Sequence, residues 1–471
     1  MATEDSANVV REAGASTGLL ECYHITRSKL GFDSCVVVSA KYNATGSLLN
    51  RQTLYSALSA VIQQHAALSV QVRLPRDPKD RPLFTRLPSV ALDDVVSFVD
   101  GGSNEESLAS LIQTEMSKPL KLGATTPLWR LTVSSGRTVL FVYHHGIGDG
   151  QSGLAFHRAL VSALNKATGG PIAGSLVPTS DNLSLVPPVE DLTNVGVSWR
   201  SFFQILYDTF APFTWTKKAS SWSGNPVVST PTNSTSVRCW ELSAADAAKL
   251  IVLCREHHTT LTAFLHTLLV GLLSRHVIIA TATDKRLPRT VATSVSVSLR
   301  RFTGASPNVV CDEAAGFQSL VPIAPLGSLT PAASDFPWTT AAQYASRLQA
   351  GVAGTREAIG TIRYLFNLGM TESFWTGALG KKRGEAVELS NLGRFVVQAP
   401  EDDAAEAPWD VSAVHFAQCN ATAGAALKVN VAGSPNGAVS VVFTWGEGAL
   451  DHVVAEAVVR EVRDAVASIL A

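Results

Sequence analysis

Residues 138–143 (TVLFVY) form an unbroken run of β-branched, aromatic and aliphatic residues that leads straight into His144-His145-Gly146-Ile147-Gly148-Asp149-Gly150. Beyond it, residues 151–164 carry apolar side chains at helical spacing. A buried strand that hands over through a glycine-rich turn to an amphipathic helix confines the chain to mixed α/β architectures. Two histidines, three glycines and an aspartate within seven positions are hard to explain by packing alone. On a strand, successive side chains point to opposite faces, so only one of His144 and His145 can face a given cavity. Glycines at 146, 148 and 150 suit a tight turn with unusual dihedrals and close approach of backbone to a ligand.

The remainder of the chain repeats this style. Residues 35–40, 289–299, 386–390 and 438–445 read as strands, and residues 48–65, 244–257, 260–274 and 451–470 as helices. Residues 169–188 and 220–236 are rich in Gly, Pro, Ser and Thr and read as linkers. The expected organisation is an N-terminal lobe over residues 1–165 that carries the histidine motif, a crossover over 166–236, and a C-terminal lobe over 237–471. Within the crossover, residues 199–213 (WRSFFQILYDTFAPF) read as a helix packed on the core. The other readings are an apolar flap at the mouth of a lipophilic pocket and a helix on a membrane surface.

With 38 Lys plus Arg against 39 Asp plus Glu, the chain has no electrostatic footprint for nucleic acid. The mean hydropathy of +0.17 raises the question of a membrane span. The most apolar stretch, residues 261–280, is interrupted by His266, Ser274, Arg275 and His276 and reads as a buried helix running into a strand. The polar N-terminus lacks the pattern of a secretory signal, so a cytoplasmic location is expected. Six singly spaced cysteines suit core packing rather than disulfides or a CxxC metal pair, and the four Asn-x-Ser/Thr sequons then read as chance matches.

Several chemistries compete for the motif. Residues 148–153 match GxGxxG, but Asp149 would set a carboxylate where a pyrophosphate belongs, and no acidic residue follows about 20 positions on. A metal site at His144, His145 and Asp149 is disfavoured because adjacent strand histidines diverge, and no metal is expected. Ser152 lacks the GxSxG turn of a serine nucleophile. A capped helix with Asp149 as N-cap is the purely structural reading. A lone histidine base, taking a proton from a hydroxyl or amine and later returning it, fits the residue types best.

Here the sequence resembles a known group. His144-His145-x-x-x-Asp149-Gly150 is similar to the HHxxxDG signature of the acyl-CoA-dependent acyltransferase superfamily, which includes chloramphenicol acetyltransferases and nonribosomal-peptide condensation domains. Further stretches resemble its fungal alcohol acetyltransferase branch: Leu20-Glu21-x-Tyr23 with Arg27, Leu30-Gly31 and Val36-Val37-Val38 as an opening strand segment, Ser296 to Arg300, and Ser390-Asn391-Leu392-Gly393. The DFGWG motif of the plant branch is absent.

The resemblance implies two chloramphenicol acetyltransferase-like α/β lobes, mixed sheets flanked by helices, with the active-site tunnel at their interface. It implies His145 as general base, His144 as support, Asp149 in an ion pair with Arg300, and oxyanion donors at the Gly150 NH and the Asn391 side chain. Acetyl-CoA or another acyl-CoA would be co-substrate, with no permanently bound cofactor. Lys381, Lys382 and Arg383 offer cations for the CoA phosphates, or form a solvated loop. The expected acceptor is a hydroxyl on a lipophilic small molecule such as a secondary metabolite. N-acylation, condensation from a carrier-protein thioester, and a non-catalytic member of the fold are the alternatives. The expected assembly is a monomer without a transmembrane span, with peripheral membrane contact possible at the aromatic segment.

Overall fold

A computed structural model describes residues 17–32, 35–77, 80–102, 104–166, 174–280, 287–397, 408–420 and 422–471. The polar N-terminus and the start of the expected crossover, residues 167–173, lie outside the described residues.

Two sheets, each with its own core, meet where the first sheet's edge strand Asp410–Gln418 lies beside Leu427–Gly433 and Val439–Gly446, interior strands of the second. The first sheet orders its strands Asp410–Gln418, Cys35–Asn43, Thr138–His144, Trp129–Ser134 and Val96–Val99, antiparallel except for the last pair. Cys35–Asn43 is a near-continuous apolar run because both its faces are covered. Val36, Val38, Ala40 and Tyr42 enter one core together with side chains of the helices Arg51–Gln64 and Gly150–Lys166. Cys35 and Val37 enter another with Ala109, Ile112 and Met116 of the helix Glu105–Met116 and with Val237, Cys239 and Val442 of the second sheet. That helix is therefore wedged between the two sheets. Close approach of Gly150–Lys166 to the sheet needs a glycine, since a Cβ at Gly153 would lie 2.2 Å from Val38 Cγ2.

The second sheet orders Thr235–Leu242, Val439–Gly446, Leu427–Gly433, Val387–Arg394, Thr290–Ser298 and Ala314–Pro322, and the short strand Ser221–Trp222 pairs beside Thr290. Its core is closed by the helices Leu261–Ala280, Trp338–Gly351 and His452–Leu470. All six cysteines are free and buried.

Halves of sequence and halves of fold do not coincide. The strand Asp410–Gln418 comes from the C-terminal half yet completes the N-terminal sheet by antiparallel pairing with Cys35–Asn43. The crossover is equally shared, since Leu176–Pro178 pairs with Ser89–Ala91 on the first lobe and Ser221–Trp222 with the second.

Three expectations need correction. The segment expected to open as a strand is mostly the helix Leu19–Lys29, and only residues from Cys35 on are strand. Glu21 explains the start, because its carboxylate accepts the Gly18 N–H at the helix N-terminus. Leu261–Ala280 stays helical to its end rather than turning into a strand. His276 there faces Glu461 of the last helix at 3.0 Å, a tertiary partner that overrides the β-branched run beside it. Among the described residues this is the one helix long and apolar enough to cross a membrane, and 72% of its apolar window is buried in the fold. The aromatic helix Trp199–Phe210 packs only partly: Phe202 meets Tyr364 with ring centroids 5.9 Å apart, while Trp199 and Phe203 are 78% and 61% exposed.

Candidate active site

Thr138–His144 ends inside the protein, and the chain turns through a single 3-10 turn, His145–Ile147, into the helix Gly150–Lys166. Three hydrogen bonds close this turn. His144 Nδ1 accepts the Gly146 N–H at 2.9 Å, the Tyr143 hydroxyl donates to the Asp149 carbonyl at 2.6 Å, and Asp149 Oδ1 accepts the Ser152 N–H at 2.9 Å. His144 is thus a buried support whose neutral ring is needed as an acceptor, and burial pushes its pKa down to about 3. Gly146, Gly148 and Gly150 adopt no positive φ, contrary to the expectation of unusual dihedrals. Space is the reason for at least one of them, since a Cβ at Gly150 would lie 2.5 Å from Leu392 Cδ2 and 3.2 Å from the Phe416 ring.

Asp149 does two things at once. It caps the helix through Ser152, and its Oδ1 pairs with Arg300 Nη2 at 2.9 Å. Arg300 opens the short helix Arg300–Thr303 just past the strand Thr290–Ser298 of the other lobe, and its two Nη atoms also donate to Ser152 Oγ and to the carbonyls of Ser306, Val309 and Cys311. Burial alone would lower the pKa of Arg300, but the Asp149 carboxylate more than offsets this and raises it. Asp149→Asn leaves this buried guanidinium without its counter-charge, so a loss of about 3–5 kcal/mol in unfolding free energy is expected in denaturant titration. A variant as stable as the parent would contradict the clamp.

His145 stands at the start of the 3-10 turn with its side chain 13% exposed. Two residues that the sequence did not single out surround it. His24, from Leu19–Lys29, stacks on its ring at 3.9 Å between centroids and 10° between planes. Asp312, fully buried, lies 3.5 Å from both His145 Nδ1 and His24 Nε2. These three could suggest a metal site, their ligand atoms being within 4.8 Å of one another. The stacking argues against it: imidazole lone pairs lie in the ring plane, and an ion in one of two near-parallel planes lies far out of the other.

The opposite wall comes from the second sheet. Burial would raise the pKa of Glu388, but Lys428, Arg27 and His145 together lower it, which puts this carboxylate in the field of the site. Glu388 contacts Lys428 at 3.6 Å and accepts from the Ser296 hydroxyl at 3.3 Å. Asn391 donates to the Thr262 hydroxyl at 3.1 Å and accepts the Gly393 N–H at 2.9 Å, while Gly393 takes a φ of 75°. The next carbonyl, that of Leu392, accepts from Gln151 Nε2 at 2.8 Å, so this turn is docked on the start of the motif helix. The basic cluster divides. Arg383 is buried and donates to the carbonyls of Asn225, Thr422 and Gly424, and Lys382 donates to those of Lys218, Ala219 and Ser221. Both therefore hold loops together; Lys381 and Lys382 are exposed, but the Lys382 amine is taken up by these carbonyls.

Comparison with known proteins agrees with this architecture. The model of the alcohol acetyltransferase family matches residues 16–453, and the chain belongs to that family. It is an acyltransferase, as the resemblance implied. The probable alcohol acetyltransferase crmB of Aspergillus fumigatus is 25% identical over 93% of this chain and 96% of its own. The probable alcohol acetyltransferase FCK4 of Fusarium pseudograminearum is 24% identical over 96% of this chain and 93% of its own. Among solved structures, the TRI3 trichothecene 15-O-acetyltransferase of Fusarium sporotrichioides superposes with a TM-score of 0.67 at 13% identity, covering 98% of both chains. The first condensation domain of the calcium-dependent antibiotic synthetase superposes with a TM-score of 0.56 at 14% identity over 97% of both, which places the fold in the same architecture.

Proposed function

We propose that the protein transfers an acetyl group from acetyl-CoA to a hydroxyl of a lipophilic small molecule of the secondary-metabolite kind, in one ternary complex with His145 as general base. The observation that carries this reading is the turn after Thr138–His144. Every other polar residue in it is spent on structure, whereas His145 is left partly accessible at the meeting of the two sheets.

In the proposed reaction His145 Nε2, on the ring edge away from Asp312, takes the proton of the acceptor hydroxyl as its oxygen attacks the thioester carbonyl. The tetrahedral intermediate collapses, the C–S bond breaks, and the imidazolium returns the proton to the leaving thiolate of CoA. Donors for the oxyanion are the Gly150 N–H, one of the unpaired amides of a helix first turn, and the second amide hydrogen of Asn391. Lys381 is the cation left to meet a CoA phosphate. The acceptor class rests on the relatives, one of which is a trichothecene O-acetyltransferase, and on the aromatic face of Trp199–Phe210.

Incubation with acetyl-CoA and a panel of hydroxylated terpenoids and polyketides, following free CoA, is expected to give acceptor-dependent release. Turnover of amines alone, or only of carrier-bound thioesters, would replace this reading with the N-acylation or condensation alternatives.

A further inference from the structure

We propose that Asp312 is a positioning residue for His145: its carboxylate takes the Nδ1–H of the ring and so fixes the tautomer whose Nε2 is free to accept a proton. The proposal deepens the assignment of His145 as base and rests on it.

Asp312 is buried, and among the described residues neither of its oxygens has a hydrogen-bond partner of normal geometry; the same is true of His145 Nδ1. A carboxylate withdrawn from water without donors is costly, so the groups aimed at it matter. Two imidazoles are aimed at it, His145 Nδ1 toward Oδ1 and His24 Nε2 toward Oδ2, each at 3.5 Å. Contacts of this length around a catalytic base commonly tighten once substrate packs against it. Stacking on His24 keeps the His145 ring from tilting out of line with the carboxylate.

The chain around Asp312 is also held from the motif itself. The Cys311 carbonyl accepts the Asp149 N–H at 3.1 Å and the Ser152 hydroxyl at 2.8 Å, and the Cys311 N–H donates back to Ser152 Oγ at 3.1 Å. On the other side, the Glu313 N–H donates to Asp149 Oδ2 at 3.3 Å and the Glu313 carbonyl accepts the Leu299 N–H at 2.8 Å. Asp149 and Ser152 thus pin the backbone on both flanks of Asp312. The motif aspartate, which does not touch His145, acts on it by delivering a second carboxylate to its far nitrogen. Burial raises the pKa of Asp312, and His145 opposes that rise, as expected for a carboxylate whose partner is the imidazole.

Asp312→Asn is the test, because it keeps the shape and removes the charge. The expected result is a loss of kcat of about 10²-fold with the KM for acetyl-CoA little changed. The acid limb of the kcat/KM profile should move to lower pH, since the imidazolium loses its counter-charge. Other charges that face the ring are unchanged in this variant: His24, Arg27 and Glu21 from the first helix, His144 and Asp149 from the motif, and Glu388 and Lys428 from the second sheet. A folded Asp312→Asn enzyme with normal kcat and an unmoved acid limb overturns the proposal. If the variant fails to fold, the nitrogen-15 shifts of His145 in the unmodified protein decide. Protonation at Nδ1 supports the proposal, and protonation at Nε2 overturns it. Failure of the base assignment is distinguishable, because His145→Ala would then retain turnover whatever happens at position 312.

Discussion

His145→Ala is expected to lower kcat/KM for acetyl transfer by about 10²–10⁴-fold while leaving the fold intact. The proton leaves the acceptor hydroxyl only as the carbon–oxygen bond forms, so the loss should fall on kcat, and the KM for acetyl-CoA should hardly move. Folding should be spared because the His145 ring still touches solvent and His24 still faces the Asp312 carboxylate when His145 is gone. His144→Ala gives the contrasting result. The Gly146 N–H would lose its acceptor inside the protein, at a cost of about 1–3 kcal/mol, so stability should fall with that variant. Steady-state release of CoA and thermal unfolding, measured on both variants, check the pair. Turnover near the parent level in folded His145→Ala would remove the base mechanism.

The motif and its lock were legible because they are local and chemically dense. A strand, a turn and a helix in sequence order fix where His145 and Asp149 stand, and the resemblance supplied Arg300 as the distant partner that the structure places at 2.9 Å. His24 and Asp312 were not legible. Asp312 sits in a stretch with no periodicity, and what brings it under His145 is the bonding of the flanking Cys311 and Glu313 backbone to Asp149 and Ser152, more than 150 residues away. His24 is one polar residue on a helix whose burial depends on docking against the motif turn. The strand exchange escaped for the same reason: nothing local says which sheet Asp410–Gln418 joins. Arg383 shows the opposite error. Charge density in sequence suggested phosphate, whereas three backbone carbonyls claim the guanidinium.

The second large effect expected is a steep loss of stability in mild acid, driven by buried histidines. Burial pushes the pKa of His144 and His266 down to about 3 and of His65, His157 and His415 down to about 4. His144 visibly needs a neutral ring, because its Nδ1 accepts an amide hydrogen; His157, between the Tyr42 hydroxyl at 2.8 Å and the Val38 carbonyl at 3.0 Å, is held neutral by burial. In the unfolded chain the same rings titrate near pH 6.5, so between that pH and about 4 the unfolded state binds more protons and stability must fall with pH. At pH 5 each such histidine costs about 2 kcal/mol, and together they cost roughly 10, within the 5–15 kcal/mol that separates folded from unfolded domains. Glu385 works in the opposite sense. Burial and the neighbouring Glu388 push its pKa up to about 7, so the folded state takes up its proton first on acidification and recovers an amount of the order of one histidine. Net, the melting temperature should be flat above pH 7 and drop sharply between pH 6.5 and 5 at constant ionic strength. A melting temperature unchanged down to pH 5 would mean that these rings are not held neutral in the folded protein.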